Sequence, residues 1–182
     1  MLQTIKKIFR YLANLQWTER PQLGKCKFCN VKANEIIVEN DLCIAINNIT
    51  NAGEAHWLIL PRSHIRDIEN LSSEHLELLR SMDELKRLLL KNHDDDVPPS
   101  EIHSGYHRGG RIFFGRFRFL RFRFPDTISV HHLHLHVIVR PGSLKKWFKY
   151  PPWVPLMWKS DETLLREVEK LASKGMTIKR VY

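Results

Sequence analysis

Residues 131 to 138 read HHLHLHVI, and this run constrains the fold more than any other part of the chain. In an extended chain side chains alternate between the two faces, so His132, His134 and His136 share one side while Leu133, Leu135 and Val137 share the other. A strand over about 128–139 is the expected element. It must sit with its leucines in a core and its imidazoles facing something else. Next-nearest side chains on one strand face lie roughly 6 to 7 Å apart, a span that suits successive groups of a phosphate ester or a metal with its substrate.

The flanking pattern supplies the rest of such a sheet. The runs EIIVEN and LCIAIN read as a two-strand meander, NAGEA at 51–55 as a turn, and HWLILP as a strand ended by Pro61. Over 72–91 the period becomes helical, with Leu76, Leu79, Met82, Leu85, Leu88 and Leu89 on one stripe and Ser72 as N-cap. NHDDDVPPS is a polar turn. Another strand is expected near 102–107. An aromatic segment, WFKYPPWVPLMW, then leads to a short helix capped by Ser160 or Asp161 and running to about Leu171. Strands paired in sequence with helices set apart argue for an α+β protein built on an antiparallel sheet.

A chain of 182 residues with 43% hydrophobic content can bury one sizeable core. The expected organisation is an amphipathic helix over 1–20 and one domain over 21–182, with an insertion at 108–124 and a tail with its helix at 144–182. No stretch of 18 apolar residues is present, and Lys6, Lys7 and Arg10 interrupt the first apolar segment, which argues against a membrane span or signal peptide. A cytoplasmic or nuclear protein is expected. Cys26 and Cys29 fit a metal or redox role in a reducing compartment, whereas Cys43 lies within an apolar strand and reads as core.

The net charge of +9 is concentrated: RGGRIFFGRFRFLRFRF, residues 108–124, holds six arginines and no acid, and without them the balance is +3. Interleaved Arg and Phe can pair phosphates and stack bases, which admits nucleic acid as a partner. It is equally compatible with a plain hairpin, a disordered loop or a sequence artefact, which are the favoured readings.

These motifs together resemble the histidine triad superfamily of nucleotide hydrolases and transferases. The run HLHLHVI has its H-φ-H-φ-H-φ-φ signature, φ being apolar; CKFC, LCIAINNIT, HWLILPRSHI and SVHHLHLH supply further landmarks in the family's order over about 24–140. GYH at 105–107 and the Trp-containing tail are most similar to the histidine triad nucleotide-binding protein branch, with aprataxin a more distant relative.

The resemblance implies a HIT-like fold: an antiparallel meander with one long helix packed on it and a short C-terminal helix. It also implies cleavage of the P–N bond of adenosine or other purine nucleoside 5′-phosphoramidates. His134 would be the nucleophile that becomes nucleotidylated before water releases the product. His136, Ser129 and His56 would bind phosphate and handle protons. Phe28, Val31, Ile46 and Ile49 would line the base, and Asn48 would meet the ribose where the family usually has Asp. Cys26, Cys29, His64 and His132 would hold a structural zinc, since two thiolates and two imidazoles close a tetrahedron with no open position. Relatives commonly dimerise through the long helix and an edge strand. Two other functions remain open on this reading: removal of AMP from 5′-adenylated nucleic-acid ends, as in aprataxin, or nucleotide binding with weak catalysis. His75, His93, His103 and His131 read as ordinary polar residues, and His107 is unassigned.

Overall fold

A computed structural model describes residues 26–94, 96–108, 112–114, 121–123, 130–142, 150–151, 154–155 and 157–174. The amphipathic helix expected over 1–20, Ser129, and most of the Arg/Phe segment lie outside these residues. Eight strands are described: β1 (Ile36–Glu39), β2 (Cys43–Asn47), β3 (Gly53–Pro61), β4 (Ile102–His107), β5 (Ile112–Phe114), β6 (Arg121–Arg123), β7 (Leu135–Pro141) and β8 (Trp158–Ser160). Two α-helices accompany them, α1 (Leu76–His93) and α2 (Asp161–Ser173).

Six strands form one antiparallel sheet in the order β1-β2-β3-β7-β4-β8, while β5 and β6 pair as a separate hairpin. The fold class is therefore α+β, as the segregation of strand and helix patterns implies. Because β7 lies between β3 and β4, Leu58, His136 and Gly105 fall in one row across the sheet, and Gly105 continues the row to Ser160 on β8.

One sheet face is covered by the helices. Cys43, Ala45, Trp57, Ile59, Leu135, Val137, Val139 and Tyr106 pack there with Leu78, Leu79, Met82, Leu85 and Leu89 of α1 and Leu164 and Val168 of α2. Each large side chain taken from water in this way contributes roughly 1.5–3 kcal/mol, so packing and not helix propensity holds α1 in place. Ser72 caps the single 3₁₀ turn (Ser73–His75) that leads into α1, its backbone N–H donating to His75 Nδ1 at 3.0 Å. Ser160 caps α2, accepting from the Thr163 N–H at 3.4 Å, with Asp161 and Glu162 in the first turn where the helix dipole favours acids. Among the described residues, no helix is long and apolar enough to cross a membrane.

Four expectations need correction. Strand β7 starts at Leu135 and not at 128, because the chain arrives in bends whose amides are tied elsewhere: His132 N–H donates to the Val130 carbonyl and Leu133 N–H to that of Ile65. The alternation nonetheless survives, with Leu133 joining the helix-side core. Residues 53–55 are strand and not turn; a side chain at Gly53 would collide with the Val139 carbonyl, so glycine permits this close approach. Leu88 is 40% exposed and leaves the α1 stripe. The aromatic tail contains β8, a short edge strand invisible to period-two reading because it is only three residues long.

Candidate active site and adjoining metal-ligand cluster

The sheet face opposite the helices carries the histidines. His134 and His136 stand with ring centroids 4.8 Å apart, and His56 of β3 meets His136 across the strand pair, Nε2 to Nδ1, at 2.9 Å. All are buried, although each is a polar ring. Their partners assign the tautomers. His134 Nδ1–H donates to the His132 carbonyl at 2.6 Å, which leaves Nε2 as its basic nitrogen. His56 Nδ1–H donates to the Thr50 carbonyl at 3.2 Å, so its Nε2 accepts from His136 Nδ1–H. Burial lowers the His134 pKa to about 4, against a smaller opposing pull from the His132 carbonyl, and the ring is neutral at pH 7. A neutral, oriented imidazole with one free ring nitrogen can act as a nucleophile.

His132, the first triad histidine, looks away from this pair. It joins Cys26, Cys29 and His64, and one donor atom from each lies within 4.8 Å of all the others. Cys29 Sγ is 3.1 Å from His64 Nδ1 and 3.4 Å from His132 Nδ1, and Cys26 Sγ is 3.5 Å from His132 Nδ1. Bond lengths for tetrahedral zinc give N···S edges of roughly 3.5 Å, so the four donors fit such an ion. His132 Nε2–H donates to the Pro61 carbonyl at 2.9 Å, which turns the Nδ1 lone pair toward the thiols. Burial, then the hydrogen bond and charge of Cys26, push the Cys29 thiol up to about 11, a crowding that a cation would relieve.

Between the cysteines sits Phe28, edge-on to His132 at 6.0 Å and to His134 at 5.4 Å. Phe28, Val31 and Ile46 pack on Ile44, Leu58 and Leu60, forming an apolar wall beside His134. Two expected base or ribose contacts stand apart from that wall. Ile49 is 83% exposed, and the Asn48 amide lies 3.1 Å from both His56 ring nitrogens and is bonded to the Tyr150 hydroxyl. Ser129 is outside the described residues.

Sequence reasoning missed the wall on the other side. His107 ends β4 with its ring 5.0 Å from His136; Tyr150 packs against His56 at 5.3 Å, His136 at 5.0 Å and His107 at 5.2 Å; Trp158 closes the group. His103, expected to be an ordinary polar residue, is stacked on Trp158 at 4.9 Å and bonded to the Tyr150 carbonyl. One signal was available: His103, Gly105 and His107 alternate as the triad does. A cavity of about 410 Å³ lies on the other sheet face between α1 and α2, where Lys86 already pairs with Asp83 and Asp161.

A family profile described as scavenger mRNA decapping enzyme C-term binding matches residues 24–147. The chain belongs to the histidine-triad superfamily. Adenosine 5′-monophosphoramidase HINT3 of Danio rerio is 29% identical over 144 residues, 75% of this chain and 79% of that protein. The bifunctional adenosine 5′-phosphosulfate phosphorylase/adenylylsulfatase HINT4 of Arabidopsis thaliana is 29% identical over 158 residues, 82% of this chain and 94% of that protein. Aprataxin of Ciona intestinalis is 26% identical over 103 residues, 57% of this chain and 22% of that protein. Among solved structures, a HIT family hydrolase from Clostridium thermocellum aligns at TM-score 0.47 and 20% identity, covering 66% of this chain and 92% of that one.

Proposed function

We propose that this histidine-triad protein is a nucleotide hydrolase that cleaves the P–N bond of adenosine or other purine nucleoside 5′-phosphoramidates. The observation that carries the reading is the His134 Nδ1–H bond to the His132 carbonyl, which presents Nε2 as the reactive nitrogen beside His136 and His56. In this scheme Nε2 attacks the α-phosphorus, the P–N bond breaks as the amine takes up a proton, and water then cleaves the nucleotidyl-histidine to release AMP. His136, held by His56 through Nδ1–H, binds phosphate oxygens through Nε2 when that nitrogen is protonated, and Phe28, Val31 and Ile46 receive the base. The names of the HINT3 relatives support this substrate class.

Zinc is proposed for Cys26, Cys29, His64 and His132, where it would act structurally: with all four positions filled by protein, no place remains for substrate. Incubation with α-³²P-labelled adenosine phosphoramidate should trap a labelled protein adduct. His134→Ala should abolish it, and persistence of the adduct in that variant would reject His134 as nucleophile.

A second reading, removal of AMP from 5′-adenylated nucleic-acid ends, draws on the likeness to aprataxin and on the hairpin formed within the Arg/Phe segment. Cleavage that weakens steeply with added salt would favour it, because strand binding releases counterions whereas a mononucleotide is little affected.

A further inference from the structure

Cys26 and Cys29 are half-buried, so solvent reaches the two sulfurs of the metal-ligand cluster. The third cysteine of the chain, Cys43, is fully buried in the core on the helix side of the sheet. An oxidant in solution therefore meets two thiols, and both belong to the cluster. They also close one turn, in which the Cys29 N–H donates to the Cys26 carbonyl at 3.2 Å. Such a turn keeps its end Cα atoms within about 7 Å of each other, which is close to the reach of a disulfide.

The same turn is joined to His134 by two short routes. Phe28 lies between the cysteines and stands edge-on to His134 at 5.4 Å. His132, whose Nδ1 is 3.5 Å from Cys26 Sγ and 3.4 Å from Cys29 Sγ, gives its carbonyl to the His134 Nδ1–H at 2.6 Å. A change of chemistry at the sulfurs is thus passed to His134 through a ring and through a carbonyl.

We propose that Cys26 and Cys29 are a site of reversible oxidation by peroxide, and that the disulfide formed there removes two of the four metal donors and loosens the hold on His134. Held by a cation, both sulfurs are thiolates, the form that peroxide oxidises. One thiolate attacks a peroxide oxygen, the O–O bond breaks, and hydroxide leaves a sulfenic acid. The other thiolate then attacks that sulfur, the S–O bond breaks, and a second hydroxide leaves. The two sulfurs give up one electron each, and the peroxide takes both. A disulfide sulfur is no longer a thiolate ligand, so His64 and His132 remain as the only donors of the cluster. A thiol reductant reverses the change by exchange. This inference rests on the zinc and nucleotidyl-transfer readings above.

The test treats the zinc-loaded full chain with hydrogen peroxide below its Tm, removes the excess with catalase, and follows the sample by peptide mass mapping, zinc release to a chromogenic chelator and the rate of labelled-adduct formation. A Cys26–Cys29 disulfide should appear in step with released zinc, and adduct formation should slow by roughly 10- to 100-fold. Dithiothreitol with Zn²⁺ should restore both. Cys43→Ser should respond as the natural chain does, and loss of the response in that variant overturns the assignment to this pair. Thiols that pass to sulfinic acid with no disulfide, or a disulfide that leaves adduct formation unchanged, overturn the proposal. Protein that takes up no zinc overturns the zinc reading, and this inference with it. If the reduced, zinc-loaded protein forms no adduct, the nucleotide-hydrolase reading fails and the His134 Nδ1–H proton resonance, assigned by its loss in His134→Ala, decides the switch. Disappearance of that resonance on oxidation supports the proposal, and its persistence overturns it.

Discussion

Removing the zinc proposed for the Cys26, Cys29, His64 and His132 cluster is expected to unsettle both the fold and the orientation of His134. An ion that binds only the folded chain stabilises it by about 4 kcal/mol when free metal is a thousand times its Kd. A domain of this size shifts by roughly 2–4 °C in Tm per kcal/mol, so chelated protein, or Cys29→Ser, should melt roughly 8–16 °C below the zinc-loaded protein. The route to the active site is short: His132 lies in the cluster through Nδ1, and its carbonyl accepts the 2.6 Å hydrogen bond that orients His134. Loss of metal should therefore lower kcat together with Tm, and both should return with Zn²⁺ but not with Mg²⁺, a hard ion poorly suited to thiolate. The assay is thermal unfolding and turnover on one sample, with metal counted by plasma mass spectrometry. A protein that purifies without zinc and keeps its Tm and turnover after Cys29→Ser would refute the reasoning.

Three further outcomes follow from the geometry. His56→Ala removes one hydrogen bond of His136 and should lower kcat/KM by roughly 5- to 150-fold, with the nucleotidyl adduct still formed; an unaffected rate would exclude His56 from the site. Gly105→Ala places a Cβ 2.5 Å from the Lys159 carbonyl and 2.7 Å from the Trp158 ring, and should cost about 1–3 kcal/mol in denaturant titration; a neutral result would mean that Trp158 is not seated as described. Burial, the largest influence, lowers the His103 pKa. The unfolded chain then holds more protons than the folded one below about pH 6.5, so this residue's share of stability is present at higher pH and lost as pH falls. His103→Gln should flatten the fall in Tm between about pH 7 and 5, and an identical slope would contradict that assignment.

Local pattern made much of the fold legible. The alternation at 133–139 and the helical stripe on α1 are short-range properties, and both emerged with their apolar faces in one core because burial of those faces is what holds each element. The limits of β7 were not legible, since the amide bonds that bend residues 130–133 reach Ile65, more than sixty positions away. Tyr150 and Trp158 were equally hidden in an aromatic segment with no period, and their place beside His136 comes from β8 joining the sheet edge next to β4.

The order of residues alone determined that three imidazoles would alternate with leucines on a strand, and that two cysteines would lie close together, because both follow from positions a few residues apart. Only tertiary structure decided where each of those imidazoles turns; the family resemblance implies no more than their roles. His132 turns to Cys26, Cys29 and His64, while His134 and His136 turn to His56 and a wall of His107, Tyr150 and Trp158. The division depends on which strands lie beside β7, and that arrangement comes from packing the apolar faces of many segments into one core, which no single segment encodes.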